Sequence, residues 1–147
     1  MARANTAEDQ IRNLLTRWEE AFRAKDAKAV MSVYAPGDVV VAFDIVPPLA
    51  KVGSDAYGQN YEEFFAMFAG PLRVELRDLR IIAGDDVAFL HCFDRMSGTL
   101  QGGDHFDLWL RVTSGLQKID GEWLILHDHV SVPTNFETGT AALNLAP

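Results

Sequence analysis

Cysteine is nearly missing from this chain. Cys92 stands alone, so no intramolecular disulfide can form and a disulfide-framed secreted scaffold is excluded. Basic residues are also scarce, with 13 Lys and Arg against 21 Asp and Glu and a net charge of −8. So acidic a chain lacks the phosphate-neutralising surface of a nucleic-acid binder, and no DNA or RNA partner is expected. No apolar run approaches the roughly 18 residues of a membrane span, so no membrane partner is expected either. The start, Met1-Ala2-Arg3-Ala4, leads into polar residues rather than an apolar signal core, which points to the cytoplasm. Neither G-x-x-x-x-G-K-[ST] nor G-x-G-x-x-G occurs, and no cofactor is expected. Ser-His-Asp or Cys-His orderings do not stand out.

What is present is a balanced globular composition: 147 residues, 48% hydrophobic and 10% aromatic. That length fits a single domain over 1–147, with a core over about residues 7–133 and a tail over 134–147. Such a chain buries roughly two-thirds of the surface its unfolded form exposes.

Ile11, Leu14, Leu15, Trp18, Ala21 and Phe22 recur at helical spacing between Glu8 and Lys25. Thr6 and Asp9 ahead of them resemble a capping box. Asp26 reads as a fresh N-cap for a short helix that Pro36-Gly37 ends. Val39 to Val46 reads as a strand stopped by Pro47-Pro48. A third helix starts at Gly53-Ser54-Asp55, and Gly70-Pro71 closes it. Four strands follow, over Leu72–Ala83, Val87–Met96, His105–Gln117 and Glu122–Val132, with Asp120-Gly121 as a two-residue hairpin signal. Helices first and strands after imply an α+β architecture: a strongly curved antiparallel sheet wrapped over three helices as a cone-shaped barrel with an open mouth.

The stretch Trp18–Val41 and the hairpin Lys118–Ser131, with its Asp-Gly, Trp and His-x-His run, resemble the superfamily of ketosteroid isomerase and nuclear transport factor 2, within it the SnoaL-like branch. The resemblance covers Glu8 to about Pro133. It implies a homodimer joined through the outer sheet face. It also implies an apolar small-molecule ligand and a cofactor-free enzyme of the isomerase, cyclase, dehydratase or hydrolase kind. The alternative is a non-catalytic ligand-binding or assembly module, because fold does not fix function.

Residue by residue, the isomerase's general-base aspartate falls on Asp44, nine positions before Gly53. Its supporting tyrosine on the third helix falls on Tyr61. Its two oxyanion donors, a tyrosine and a protonated aspartate, fall on Trp18 and Thr113, so steroid isomerisation itself is not implied.

The residues support these roles to different degrees. Asp44 lies in apolar text, where a carboxylate is desolvated unless partnered; otherwise it faces solvent or caps the proline turn. Arg111 and Thr113 share one strand face with His105, Asp107 and Trp109, opposite Phe106, Leu108, Leu110 and Val112. Either the apolar set faces inward, or Thr113 meets the cavity and brings Arg111 with it to pair Asp44 or clamp an anion. A bulge would change the answer. On the last strand Leu124, Leu126, Asp128, Val130 and Val132 form the more apolar, inward set, which makes Asp128 a costly inward charge unless it is paired or functional. The other set puts Trp123, His127 and His129 on the outer face, as dimer contacts. His127 and His129 alone do not make a metal site, and none is expected. His91 is either a core residue or a pocket acid or donor. Trp18, Phe22, Tyr57, Tyr61 and Phe65 form the wall where helices meet sheet, part of it the pocket.

Overall fold

The first helix, α1 (Ala7–Arg23), begins at a full capping box: the Thr6 hydroxyl accepts from the Asp9 amide at 3.1 Å, and the Asp9 carboxylate accepts from the Thr6 amide at 3.1 Å. Residues 4–147 are described by the computed structural model of the chain; the polar start read from Met1 to Arg3 lies outside them. The predicted stripe, Ile11 to Phe22, is the buried face of α1. A second helix, α2 (Ala27–Met31), follows with Asp26 as its cap, as the sequence predicts. A single 3-10 turn over Gly37–Val39 comes next.

The predicted strand over Val39–Val46 is shorter than expected. The 3-10 turn takes its start, and β1 covers only Val41–Phe43. A two-residue strand, β2 (Lys51–Val52), pairs back on β1. The third helix, α3, covers Ser54–Ala66 and ends earlier than predicted. Gly70-Pro71 does not close it but lies inside β3 (Phe68–Ala83), where the pairing with β4 is interrupted between Ala69 and Arg73. Proline lacks the amide a ladder needs, so the irregularity falls there. The strands β4 (Val87–Leu100), β5 (His105–Ile119) and β6 (Glu122–Ser131) complete the meander. Asp120 and Gly121 turn the last hairpin with φ of +50° and +84°, a conformation suited to these residue types. A small hairpin of β7 (Thr134–Asn135) and β8 (Thr140–Ala141) follows.

The large sheet has the order β2-β1-β6-β5-β4-β3. It is antiparallel except for one pair: β1 runs parallel to β6, with Ala42 opposite Asp128. The end of α2 is stitched to β6, where the Ala35 amide donates to the Ile125 carbonyl and the Ile125 amide donates to that of Val33. This places Tyr34 beside the middle of β6. The three helices and the curved sheet enclose a core that includes Phe22, Phe68, Ile11, Leu14 and Leu90.

One bulge decides which β6 residues face inward. Gly115 pairs with His127, whereas Leu116 pairs with Ile125, so Leu126 is an extra residue. Side chains alternate along a strand, and one extra residue exchanges the faces. Before the bulge Trp123 and Ile125 are buried; after it Asp128 is. The expected outer set of Trp123, His127 and His129 is therefore corrected. Trp123 is 4% exposed, lies in the core and donates from its indole nitrogen to Gln10.

Candidate functional site

A cavity of about 560 Å³ opens between the helices and the concave sheet face. One face of α3 organises its polar end. Tyr57, Asn60 and Tyr61 stand at i, i+3 and i+4, and so share one side of the helix. The Tyr57 hydroxyl donates to Asp128 Oδ2 at 2.9 Å. The Asn60 amide donates to Asp44 Oδ2 at 2.9 Å. The Tyr61 hydroxyl meets that of Tyr34 at 3.1 Å and accepts from the Trp18 indole at 3.4 Å.

Asp128 is the anchor of this network. It is 5% exposed and accepts from the Tyr34 hydroxyl at 2.6 Å and the Ser114 hydroxyl at 2.6 Å, in addition to Tyr57. Burial pushes its carboxyl above the usual range, and the three hydroxyl donors pull it partly back. The single hydroxyl hydrogen of Tyr34 is spent on Asp128, so Tyr61 is the donor in the Tyr34–Tyr61 pair. A directed chain results: Trp18 to Tyr61 to Tyr34 to Asp128. Burial, and then the Asp128 charge, hold the Tyr34, Tyr57 and Tyr61 phenols well above their ordinary range, so all three stay protonated.

Asp44 sits at the rim, directly after β1. It follows the strand that pairs with β6, two residues beyond Ala42, which stands opposite Asp128, and both carboxylates line the cavity. It is not a bare charge. Besides Asn60, the Ile45 amide donates to it at 2.8 Å and the Lys51 ammonium lies 3.8 Å away. Lys51 in turn donates to the Asn60 carbonyl oxygen at 2.7 Å, which fixes the amide's orientation.

The remaining predicted site residues divide. Trp18, Phe22, Tyr57, Tyr61, Asp44, Asp128 and Val130 all line the cavity. Thr113 and Arg111 do not: both are exposed, and the Arg111 guanidinium donates to Ser131 on the outer side. Phe106, Leu108, Leu110 and Val112 line the cavity instead, and the same alternation brings Ser114 inward. His91 is neither core nor pocket; it is exposed on the outer face, where it pairs with Thr113. Phe65 is buried behind the wall, edge-on to Phe22, and Phe64 takes its expected place in the lining. His127 and His129 flank Phe43 on the outside, with ring centroids 4.7 and 5.5 Å away. The His127 imidazole shares a hydrogen bond with the Val41 carbonyl. Among the described residues no group of three His, Cys, Asp or Glu is arranged to hold a metal, and no helix is long and apolar enough to cross a membrane.

Among the lining groups that escaped the sequence reading are Asn60 and Glu63 of α3, and three more on other elements. Tyr34 stood only as an apolar position of the short helix. Ser114 is the next inward step after Val112. Asp94, in the text Phe93-Asp94-Arg95, is 3% exposed, and its Oδ1 is buried without a hydrogen-bond partner among the described residues. Burial first, then the charges of Glu19 and Asp128, push its carboxyl up to about 8. Its signal was visible in principle: Leu90, Cys92 and Asp94 alternate inward on β4.

The family model described as a SnoaL-like domain matches residues 11–135. A protein of unknown function from Pseudomonas putida, described as like nuclear transport factor 2, is 32% identical, with 99% of this chain and 100% of that chain covered and a TM-score of 0.86. A ketosteroid isomerase-like protein from Erwinia carotovora is 22% identical, with 87% and 97% covered and a TM-score of 0.72. A nuclear transport factor 2-like superfamily protein from Salmonella enterica is 15% identical, with 91% and 96% covered and a TM-score of 0.78. Among curated proteins none matches the chain.

Proposed function

The chain belongs to the SnoaL-like domain family, and on that premise we propose that it is a cofactor-independent acid–base enzyme, of the isomerase, cyclase, dehydratase or hydrolase kind, acting on an apolar small molecule. One observation carries this reading: a single face of α3 holds two carboxylates, Asp44 through Asn60 and Asp128 through Tyr57, over one largely apolar cavity. Pairs of carboxylates in unlike surroundings are what divided acid–base roles require. Asp44, at the rim, takes the proton from substrate carbon. Tyr57 turns its hydroxyl hydrogen toward the substrate oxygen on which charge develops, while Asp128 keeps Tyr34 and Ser114 as donors. A hydroxyl donor among largely apolar walls acts more strongly than it would in water.

The test is proton exchange. Apolar compounds with an activated C–H are incubated with the protein in deuterated water, and label uptake is followed by mass spectrometry. Uptake above the buffer rate is expected for compounds that bind. Binding without uptake across the whole panel would remove the enzymatic reading and leave a ligand-binding module.

Exposed Phe43, at 41%, with His127 and His129 supports a homodimer through the outer sheet face. Sedimentation equilibrium is expected to give about twice the 16.3 kDa chain mass; a single-chain mass at micromolar concentration would refute it.

A further inference from the structure

The cavity lining is lopsided in charge. Among the described residues four acidic side chains line it, Asp44, Glu63, Asp94 and Asp128, and no lysine, arginine or histidine does. The nearby cation, Lys51, is already held between Asp44 and Asn60. Three of the acids sit at the α3 end or the rim. Asp94 stands apart: it pairs opposite Leu110, whereas Asp128 pairs opposite Ser114, four residues further along β5. Four residues of strand are roughly 13 Å along β5, although the sheet's curvature keeps the Asp128 charge within reach of Asp94. Between these poles the lining is apolar, with Leu90, Cys92, Met96, Leu108, Leu110 and Val112.

Buried carboxyl groups are normally hydrogen-bonded. Asp94 Oδ1 has no partner among the described residues, although the side chain is almost wholly buried and lines a cavity. We propose that Asp94 is the docking point for the ammonium group of a lipophilic amine, whose apolar body fills the cavity toward Asp44 and Asp128. The inference rests on the reading of the cavity as a ligand site and names its ligand class.

A cation suits the position better than a neutral or anionic group. The charged groups that face Asp94 from the packed elements are Glu19 of α1 and Asp128 of β6, both acidic; Cys92 is its titratable neighbour on β4. Burial pushes that thiol up to about 12, so it stays neutral. An anion would meet the charges of Glu19 and Asp128, with no cation of the described lining to offset them. An ammonium meets the carboxylate in a charge-assisted hydrogen bond and relieves its isolation. In the empty cavity near pH 7, Asp94 carries its proton; on binding, an ammonium pairs with the carboxylate, and the Asp94 proton leaves to solvent. Affinity therefore rises with pH toward about 8, the folded value of Asp94.

The experiment is calorimetric titration of the full chain with four matched probes: phenylbutylamine, phenylbutanol, phenylbutyrate and phenylbutanone. The amine is expected to bind about tenfold or more tightly than the alcohol and ketone, with the carboxylate weakest. Heats in buffers of different ionisation enthalpy are expected to report release of about one proton per amine at pH 7. Asp94→Asn is expected to bring the amine close to the affinity of the alcohol and abolish proton release, with the alcohol's affinity changing far less than the amine's. Alcohol or ketone binding as tightly as the amine overturns the proposal. So does amine binding that falls with Asp128→Asn and not with Asp94→Asn. The wild-type probe series decides the matter even if a variant does not fold. Amine binding without exchange on any compound supports the proposal and removes the enzymatic reading. Exchange on neutral ketones with no amine preference does the reverse.

Discussion

Exchange of Asp44 for asparagine is expected to slow label uptake from a bound substrate by about 10²–10⁴-fold, the contribution of one positioned general base. The substitution keeps size and shape, and the new side-chain carbonyl can keep the Ile45 amide bond at the Oδ1 position, while the bond from Asn60 to Oδ2 is lost. What it loses is the ability to take a proton. Binding of the same substrate is expected to be nearly unchanged, because Asp44 stands at the rim and the apolar walls stay in place. The measurement is the initial uptake rate at saturating substrate, with affinity measured separately. Asp44 is the better base of the wall pair for a countable reason. A carboxylate offers about four lone-pair sites. Three on Asp128 are taken by hydroxyls, whereas Asp44 accepts two hydrogen bonds. Asp128 keeps one site, buried among its three hydroxyl donors, whereas two stay open on Asp44 at the rim. An uptake rate unchanged in the Asp44 variant would move the base elsewhere, with Asp128 the next group to test.

The order of elements was legible because it rests on strong local signals. The stripe from Ile11 to Phe22 has one period over about three turns, and Thr6 and Asp26 cap as expected. The Asp120-Gly121 turn has positive φ at both residues, which few other pairs tolerate. The face of a strand was legible only where nothing interrupted the alternation. Along β5 the apolar set from Phe106 to Val112 names the inward side, and one more step names Ser114. The resemblance to the isomerase counted Thr113 instead, one residue off, which puts a side chain on the opposite face. On β6 the extra residue Leu126 exchanges the faces in mid-strand, so Asp128 was placed correctly and Trp123 was not. A bulge is a matter of pairing with a neighbour, and one strand's text does not contain it. Partners across the fold were illegible for the same reason. Nothing near Asp128 in sequence points to Tyr34 or Tyr57, which reach it from 94 and 71 residues away.

Stability is expected to fall as pH rises through the range in which Asp94 resists ionisation. The ordinary value for this carboxyl is 3.8, and in the folded chain burial, with Glu19 and Asp128 nearby, pushes it up to about 8. Below the ordinary value the group is protonated in both states, and its contribution to folding is intact. Between the two values only the folded state holds the proton. Each pH unit there then costs about 1.4 kcal/mol, for a total on the order of several kcal/mol. Above about 8 the loss is complete and the curve flattens. Asp94→Asn removes the titration. Its buried amide costs roughly 1–3 kcal/mol, but equally at every pH. Denaturant unfolding of both proteins at pH 5 and pH 8 is therefore expected to show the variant gaining on the wild type by a few kcal/mol across that interval. Asp128 is present in both proteins, so its own titration largely cancels from the difference. Equal slopes would mean that Asp94 ionises with a partner or with water in the folded chain. A lipophilic amine should flatten the wild-type slope as well, because an ammonium on Asp94 makes the ionised form the stable one. The unpaired carboxyl that weakens the free protein at pH 8 is thus the group that gains most when the cavity is filled.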